Sequence, residues 1–174
     1  MKCSVIAILL FLLAACVPSQ QQHVTLKPAG TDIEIDGWDS RTDNRPSGMS
    51  SDWRLKSYIN KNTLAVNHQL YVTLLYNGDQ KYFYRAINED GRKMPLIKLH
   101  TMGKDCRLAR CEVSEYIGVP LTDRDMQRHM HSYYSITLIA KTGDTFIVTV
   151  SPQMVQMQMD AIARYIQSRR ELEH

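Results

Sequence analysis

The chain has 174 residues, of which 44% are hydrophobic and 22% are charged, so its length suits one domain with a buried core. The formal net charge is only +3 and the sequence has no dense block of Lys and Arg, which argues against a nucleic-acid partner. No apolar run reaches the roughly 20 residues that a membrane-spanning helix needs.

The first residues predict an exported protein. Lys2 precedes a short apolar run at residues 5–13, and Pro18 prevents a helix from continuing beyond it. The letters LAAC, which end at Cys16, resemble the lipobox of bacterial lipoproteins. That resemblance implies cleavage before Cys16, acylation of this cysteine and a stable lipid anchor, because more than one acyl chain is attached.

The chain is expected to have four parts. Residues 1–15 are expected to be a signal peptide, residues 16–30 the lipidated cysteine with a polar tether, and residues 31–171 a single β-rich domain. Residues 172–174 look like the remnant of a purification tag. Val17 stands where an Asp would favour the inner membrane, so we expect the protein at the outer membrane, facing the periplasm.

The cysteines have separable roles. The resemblance implies that Cys3 is removed with the signal peptide and that Cys16 is acylated. Cys106 and Cys111 remain as an even pair in a chain exported to an oxidising compartment, which predicts a disulfide. The alternatives are a redox-active pair, which usually has two intervening residues rather than four, and half of a zinc site, which needs two further ligands.

The segment before residue 53 predicts one strand and one long loop. Ile33 and Ile35 alternate with polar residues within 31–36, as in a half-buried strand. Residues 36–52 are rich in turn formers, and loops of this length are usually functional or disordered. Trp38 in that loop either packs it onto the domain or contacts a partner.

From residue 53 onward the pattern is mostly β. Strands are expected at 53–59, 69–76, 81–88, 93–102, 111–119, 133–141 and 145–150, with Asn77-Gly78 as a hairpin turn between the second and third. Thr122 is the expected N-cap of a short helix that ends near Met130. Ser151 and Pro152 begin a C-terminal helix with one apolar stripe.

These elements predict a mainly β fold, with α+β as an option: an antiparallel sandwich or twisted sheet of about seven strands with the C-terminal helix packed on it. In the expected hairpin Leu70, Val72, Leu74 and Phe83 share one face. Tyr71, Tyr82 and Tyr84 share the other, which is either covered by the C-terminal helix or exposed as an interface.

Few residues suggest chemistry. His129 and His131 lie near several methionines, including Met154, Met157 and Met159, and imidazole with thioether ligands suits copper. Glu112 and Glu115 could form an acid–base pair, but they are three residues apart and face opposite sides of a strand. Both are adequately explained as solvated charges.

No nucleophile motif or phosphate-binding loop is present in the sequence. We therefore expect a non-catalytic envelope lipoprotein without a cofactor, which binds another protein as an accessory or scaffold subunit of a membrane-associated assembly. The alternative is a periplasmic module that binds a small ligand or copper.

Overall fold

The computed structural model describes residues 24–37, 40–42, 49–107 and 110–172, which form eleven strands and two helices. In chain order these are β1 (Thr25–Ala29), β2 (Asp32–Asp36), β3 (Ser40–Thr42), β4 (Met49–Asn60), β5 (Val66–Asn77), β6 (Phe83–Asn88), β7 (Lys93–Met94), β8 (Ile97–Arg107), β9 (Arg110–Leu121), α1 (Asp123–Arg128), β10 (Tyr134–Ala140), β11 (Thr145–Val150) and α2 (Pro152–Glu171).

The strands form two antiparallel sheets. The larger has the order β1-β2-β4-β5-β9-β8, with β3 also paired to β4, and the smaller has the order β11-β10-β6-β7. Buried side chains of both sheets join in one hydrophobic core, as in a sandwich. The predicted mainly β fold with a packed C-terminal helix is confirmed, although the strands are more numerous than the seven expected.

Period-two burial explains which side of each strand faces that core. In β4, Trp53, Leu55, Ser57 and Ile59 are buried while the residues that alternate with them are partly exposed, and β10 repeats the pattern from Tyr134 to Ala140. The indole nitrogen of Trp53 donates to the carbonyl oxygen of Thr149 at 3.2 Å. This bond joins the larger sheet to β11, the edge strand of the smaller one.

The helix α2 covers the part of the larger sheet that the smaller sheet leaves open. Its N-cap is Ser151, whose hydroxyl accepts from the N–H of Met154 at 3.2 Å, as the sequence predicts. Ala161 and Ile162 pack with Ile35 and Ile59 in a second apolar cluster. The helix therefore lies on the inner face of the sheet and not on the face that contains Tyr71.

The predicted hairpin between β5 and β6 is wrong, because these strands belong to different sheets. β9 pairs with β5 from His68 to Asn77 and so occupies the edge that β6 would need. The chain crosses from one sheet to the other within residues 78–82, where Gly78 and Tyr82 have φ values of 109° and 57°. This is longer than the two-residue turn that an Asn-Gly signal implies.

Two expectations near the N-terminus also need correction. Residues Thr25–Ala29, expected in the tether, form β1 and pair with β2. Four of these five residues are exposed, so this edge strand lacks the alternating burial that identifies a strand in sequence. The predicted loop at 36–52 contains β3 and the start of β4. Trp38 lies outside the described residues.

Candidate functional site

An exposed aromatic and cationic surface lies where the chain passes between the two sheets. Tyr82 and Tyr84 are 46% and 43% exposed. The ammonium nitrogens of Lys98 and Lys141 lie 5.9 and 6.0 Å from the centre of the Tyr82 ring, and the guanidinium carbon of Arg85 lies 5.2 Å from that of Tyr84. These five residues form the Tyr82 surface.

The backbone at Tyr82 is in the left-handed region, which a residue with a side chain rarely adopts. Glu115 of β9 fixes it there. Its Oε1 accepts from the N–H groups of Lys81 and Tyr82 at 3.2 and 3.0 Å, and its Oε2 accepts from the N–H of Phe83 at 3.3 Å. The Tyr76 hydroxyl also donates to this carboxylate.

Glu115 is only 4% exposed, so the expectation that it is a solvated charge is wrong. The N–H groups of the crossover and the Tyr76 hydroxyl replace the water that the carboxylate loses. Burial, followed by the hydrogen bond to Glu115, raises the pKa of Tyr76 above its ordinary value of 10.0. Glu112 is exposed, so the two carboxylates do face different environments, as their spacing predicts.

The two oxygens of the Glu115 carboxylate accept four hydrogen bonds from Tyr76 and from the backbone of residues 81–83, and these bonds fix the segment that crosses between the sheets. Acid–base chemistry would require a lone pair directed at a substrate. The arrangement instead holds Tyr82 in an unfavourable conformation with its ring outward. Local strain of this kind concentrates at functional positions.

A second polar cluster has the composition of a catalytic triad. The Ser57 hydroxyl lies 2.8 Å from Nδ1 of His68, and Nε2 of His68 lies 2.9 Å from a carboxylate oxygen of Asp123. Gln158 of α2 donates from Nε2 to the Ser57 hydroxyl and to the Ile35 carbonyl, both at 2.9 Å. The chain of bonds runs from α2 through the sheet to α1.

The accessibility of this cluster is the reverse of what catalysis needs. Ser57 is fully buried and already accepts from Gln158, whereas the Asp123 side chain is 69% exposed. A nucleophile must reach its substrate, and the orienting acid is normally the buried member. The cluster is therefore a structural connection between the two helices and the sheet.

Sequence reasoning missed this connection, although a signal was present. Ser57 falls on the same predicted face as Trp53, Leu55 and Ile59, and a hydroxyl on an apolar face requires a buried partner. The partners lie 11 and 101 residues away at His68 and Gln158, so sequence spacing could not identify them.

The two histidines predicted as weak metal-ligand candidates, His129 and His131, differ in their exposure to solvent. His129 is 3% exposed and stacks on Tyr134, with ring centres 4.1 Å apart. Its Nδ1 lies 3.1 Å from the Ser132 hydroxyl and its Nε2 lies 3.5 Å from Glu89. His131 is exposed. Among the described residues, no group of three or more His, Cys, Asp or Glu side chains could hold a metal ion.

The methionines named with these histidines mostly belong to the core. Met154 is 5% exposed within the main cluster, and Met159 packs against both apolar clusters. Methionine is a common gap filler in such cores because its side chain is flexible. Met157 is half-buried on the same helix.

Tyr71 does not join Tyr82 and Tyr84, because β5 and β6 lie in different sheets. It is half-buried on the outer face of the larger sheet, with the ammonium nitrogen of Lys56 4.9 Å from its ring centre. Lys56 also forms an ion pair with Glu34 at 2.9 Å, and Asp36 pairs with Lys27 at 2.9 Å. Positive and negative groups therefore neutralise one another on this face.

Cys16 lies outside the described residues, as does the predicted signal peptide. The backbone register places Cys106 opposite Cys111 across β8 and β9. Opposed residues of an antiparallel pair have Cα atoms about 4.5 to 5.5 Å apart, within the range that a disulfide spans. Within the described residues, no helix has the length and apolarity required to cross a membrane.

No protein-family model, curated protein or solved structure matches this chain. Any functional conclusion therefore depends on the residues and their geometry.

Proposed function

We propose that this chain is a non-catalytic lipoprotein of the bacterial cell envelope, which binds another protein as an accessory or scaffold subunit of a membrane-associated assembly. The observation that carries the proposal is the left-handed Tyr82, whose ring is exposed while the buried Glu115 fixes its backbone. Tyr and Arg are enriched at the centres of protein interfaces, and a rigid tyrosine loses little conformational entropy on binding.

The lipobox supports the location. An acylated Cys16 would hold the domain at the membrane, facing the periplasm, and would raise the local concentration of a weak binder near its partner. The export route also supports the Cys106–Cys111 disulfide. Trp38 stays a second candidate contact for the partner.

Cross-linking of the full-length protein in its native membrane tests the proposal. We expect one dominant protein to be recovered with the natural chain and lost with Tyr82→Ser combined with Tyr84→Ser. Tyr133→Ser is the matched control, because Tyr133 is 65% exposed and lies outside the Tyr82 surface. Equal recovery with all three proteins would contradict the proposal.

Two further variants separate the anchor from the contact. Cys16→Ser should abolish incorporation of a labelled fatty acid and release the protein from the membrane fraction. Trp38→Ala should leave the unfolding transition unchanged and reduce recovery of the partner. If the partner is recovered in the same amount with this variant, Trp38 does not contribute to the interface.

A further inference from the structure

The Tyr82 surface contains three cationic side chains, those of Arg85, Lys98 and Lys141. Within the described part of the chain, Arg85, Lys98 and Lys141 have no carboxylate partner. The neighbouring Lys81 differs, because it forms an ion pair with Asp144 at 2.7 Å. Three cations thus surround two exposed aromatic rings.

The apolar part of this region continues along β8. Ile97 and Leu99 flank Lys98 in sequence and are 44% and 39% exposed. β8 is the last strand of the larger sheet, and its register with β9 shifts between Lys98 and His100. Such a shift, together with an exposed lysine, discourages a further strand from pairing at this edge. Side chains rather than backbone groups are therefore the contacts available there.

From this arrangement we infer that the occupant of the Tyr82 surface is an acidic segment of a partner protein, whose carboxylates meet Lys98, Lys141 and Arg85. This inference rests on the proposed protein-binding function and adds the chemistry of the partner. Opposite charges steer the encounter and exclude partners of like charge, while the tyrosine rings supply contact area.

The strand order favours a protein over anionic lipid headgroups as the source of negative charge. β1, which follows the lipobox and tether, is at one edge of the larger sheet, and β8 is at the other. Five strand-to-strand steps of about 4.8 Å separate these edges by about 24 Å. Lys98, which lies on β8, is therefore at the edge of the larger sheet opposite the strand that follows the tether.

Photo-cross-linking identifies what touches this surface. The full-length protein would contain p-benzoylphenylalanine in place of Tyr82, or in place of Tyr133 as the control, and would be irradiated in its native membrane. Mass spectrometry would then identify the attached peptide. We expect a Tyr82-specific adduct with a peptide whose net charge is negative.

Charge variants give the second readout. Lys98→Gln combined with Lys141→Gln should reduce the yield of the adduct about tenfold, and raising the salt concentration should reduce it in the natural chain. Arg124→Gln combined with Arg170→Gln removes two exposed cations elsewhere and should leave the yield unchanged.

The outcomes separate this inference from the proposed function. A protein adduct on a neutral or basic peptide, unaffected by the charge variants, would overturn the acidic partner while leaving the protein-binding function in place. A lipid adduct, or no protein adduct above the Tyr133 control, would overturn both.

Discussion

The Glu115 carboxylate accepts a hydrogen bond from the backbone N–H of Tyr82 at 3.0 Å. Glu115 is buried in β9, whereas the side chain of Tyr82 is exposed. Tyr82 is one of only two residues other than glycine with positive φ among those described. A buried charge, a strained backbone and an exposed aromatic side chain therefore meet at a single crossover. Its stability and its proposed binding role can be separated by mutation.

Replacing Glu115 with Gln should destabilise the domain by about 3 kcal/mol. The amide removes the negative charge and presents an NH₂ group where one carboxylate oxygen accepts from buried donors. Urea unfolding of the purified protein measures the change. Glu112→Gln, on an exposed acid of the same strand, should change the free energy of unfolding by less than about 0.5 kcal/mol. Equal effects of the two substitutions would show that Glu115 does not hold the crossover.

Replacing Tyr82 with Gly should leave stability unchanged or raise it by up to about 1 kcal/mol, because glycine adopts the left-handed conformation without steric cost. Recovery of the partner should nevertheless be lost. The matched change Tyr84→Gly removes a similarly exposed ring from a strand and should destabilise by about 1 kcal/mol. Urea unfolding of both variants distinguishes a functional Tyr82 from a structural one. A large loss of stability in Tyr82→Gly would contradict this account.

His68 should make the domain less stable as the pH falls. Burial lowers the pKa of His68 below its ordinary value of 6.5, and the hydrogen bond to Asp123 opposes that effect only in part. Below pH 6.5 the unfolded chain binds a proton that the folded chain resists. The stability contributed by His68 is therefore complete above that pH and is lost as the pH falls through the folded-state pKa.

Unfolding free energies measured at a series of pH values between about 7 and 5 check this dependence. His68→Gln should give a shallower decline than the natural chain, together with a loss of about 1 to 3 kcal/mol at neutral pH from the broken hydrogen bonds. His131→Gln, at an exposed histidine, should retain the natural slope. Parallel curves for the natural chain and His68→Gln would contradict the assignment.

The proposed export to an oxidising compartment predicts that Cys106 and Cys111 are disulfide-bonded. Trypsin cleaves after Arg107 and Arg110, so residues 105–107 and the peptide that begins at Cys111 should remain joined until a reductant is added. Cys106→Ser should lower the free energy of unfolding by about 2 kcal/mol, since the closed loop is short. Two freely alkylated thiols in the native protein would contradict the prediction.

Much of the fold could be predicted because local rules determine it. Alternating apolar and polar residues identified β10 and β11, and the structure buries their apolar side chains. The side chains of Thr122 and Ser151 cap the two helices that the sequence predicts after them. At each of these places the local pattern and the tertiary packing agree.

The remaining features depend on distant parts of the chain. The sequence of β5 and β6 indicates two strands and a turn. Because β9 pairs with the edge of β5 that β6 would need, β6 joins the other sheet. Glu115 looked like a surface charge because the donors that bury it come from residues 76–83, more than 30 positions earlier. Of the tyrosines named from the sequence, Tyr71 lies on β5 of the larger sheet, whereas Tyr84 lies on β6 of the smaller sheet and Tyr82 in the crossover before it.

The position of β1 has a mechanical consequence. A pull between the proposed lipid anchor and a proposed partner on the Tyr82 surface would act largely across the strands of the larger sheet. Under such a load the hydrogen bonds between two neighbouring strands break one at a time, because the force acts on one bond before the next. β1 would yield first, because its residues are mostly exposed and only β2 pairs with it. Its extension would lengthen the tether while the core remained folded.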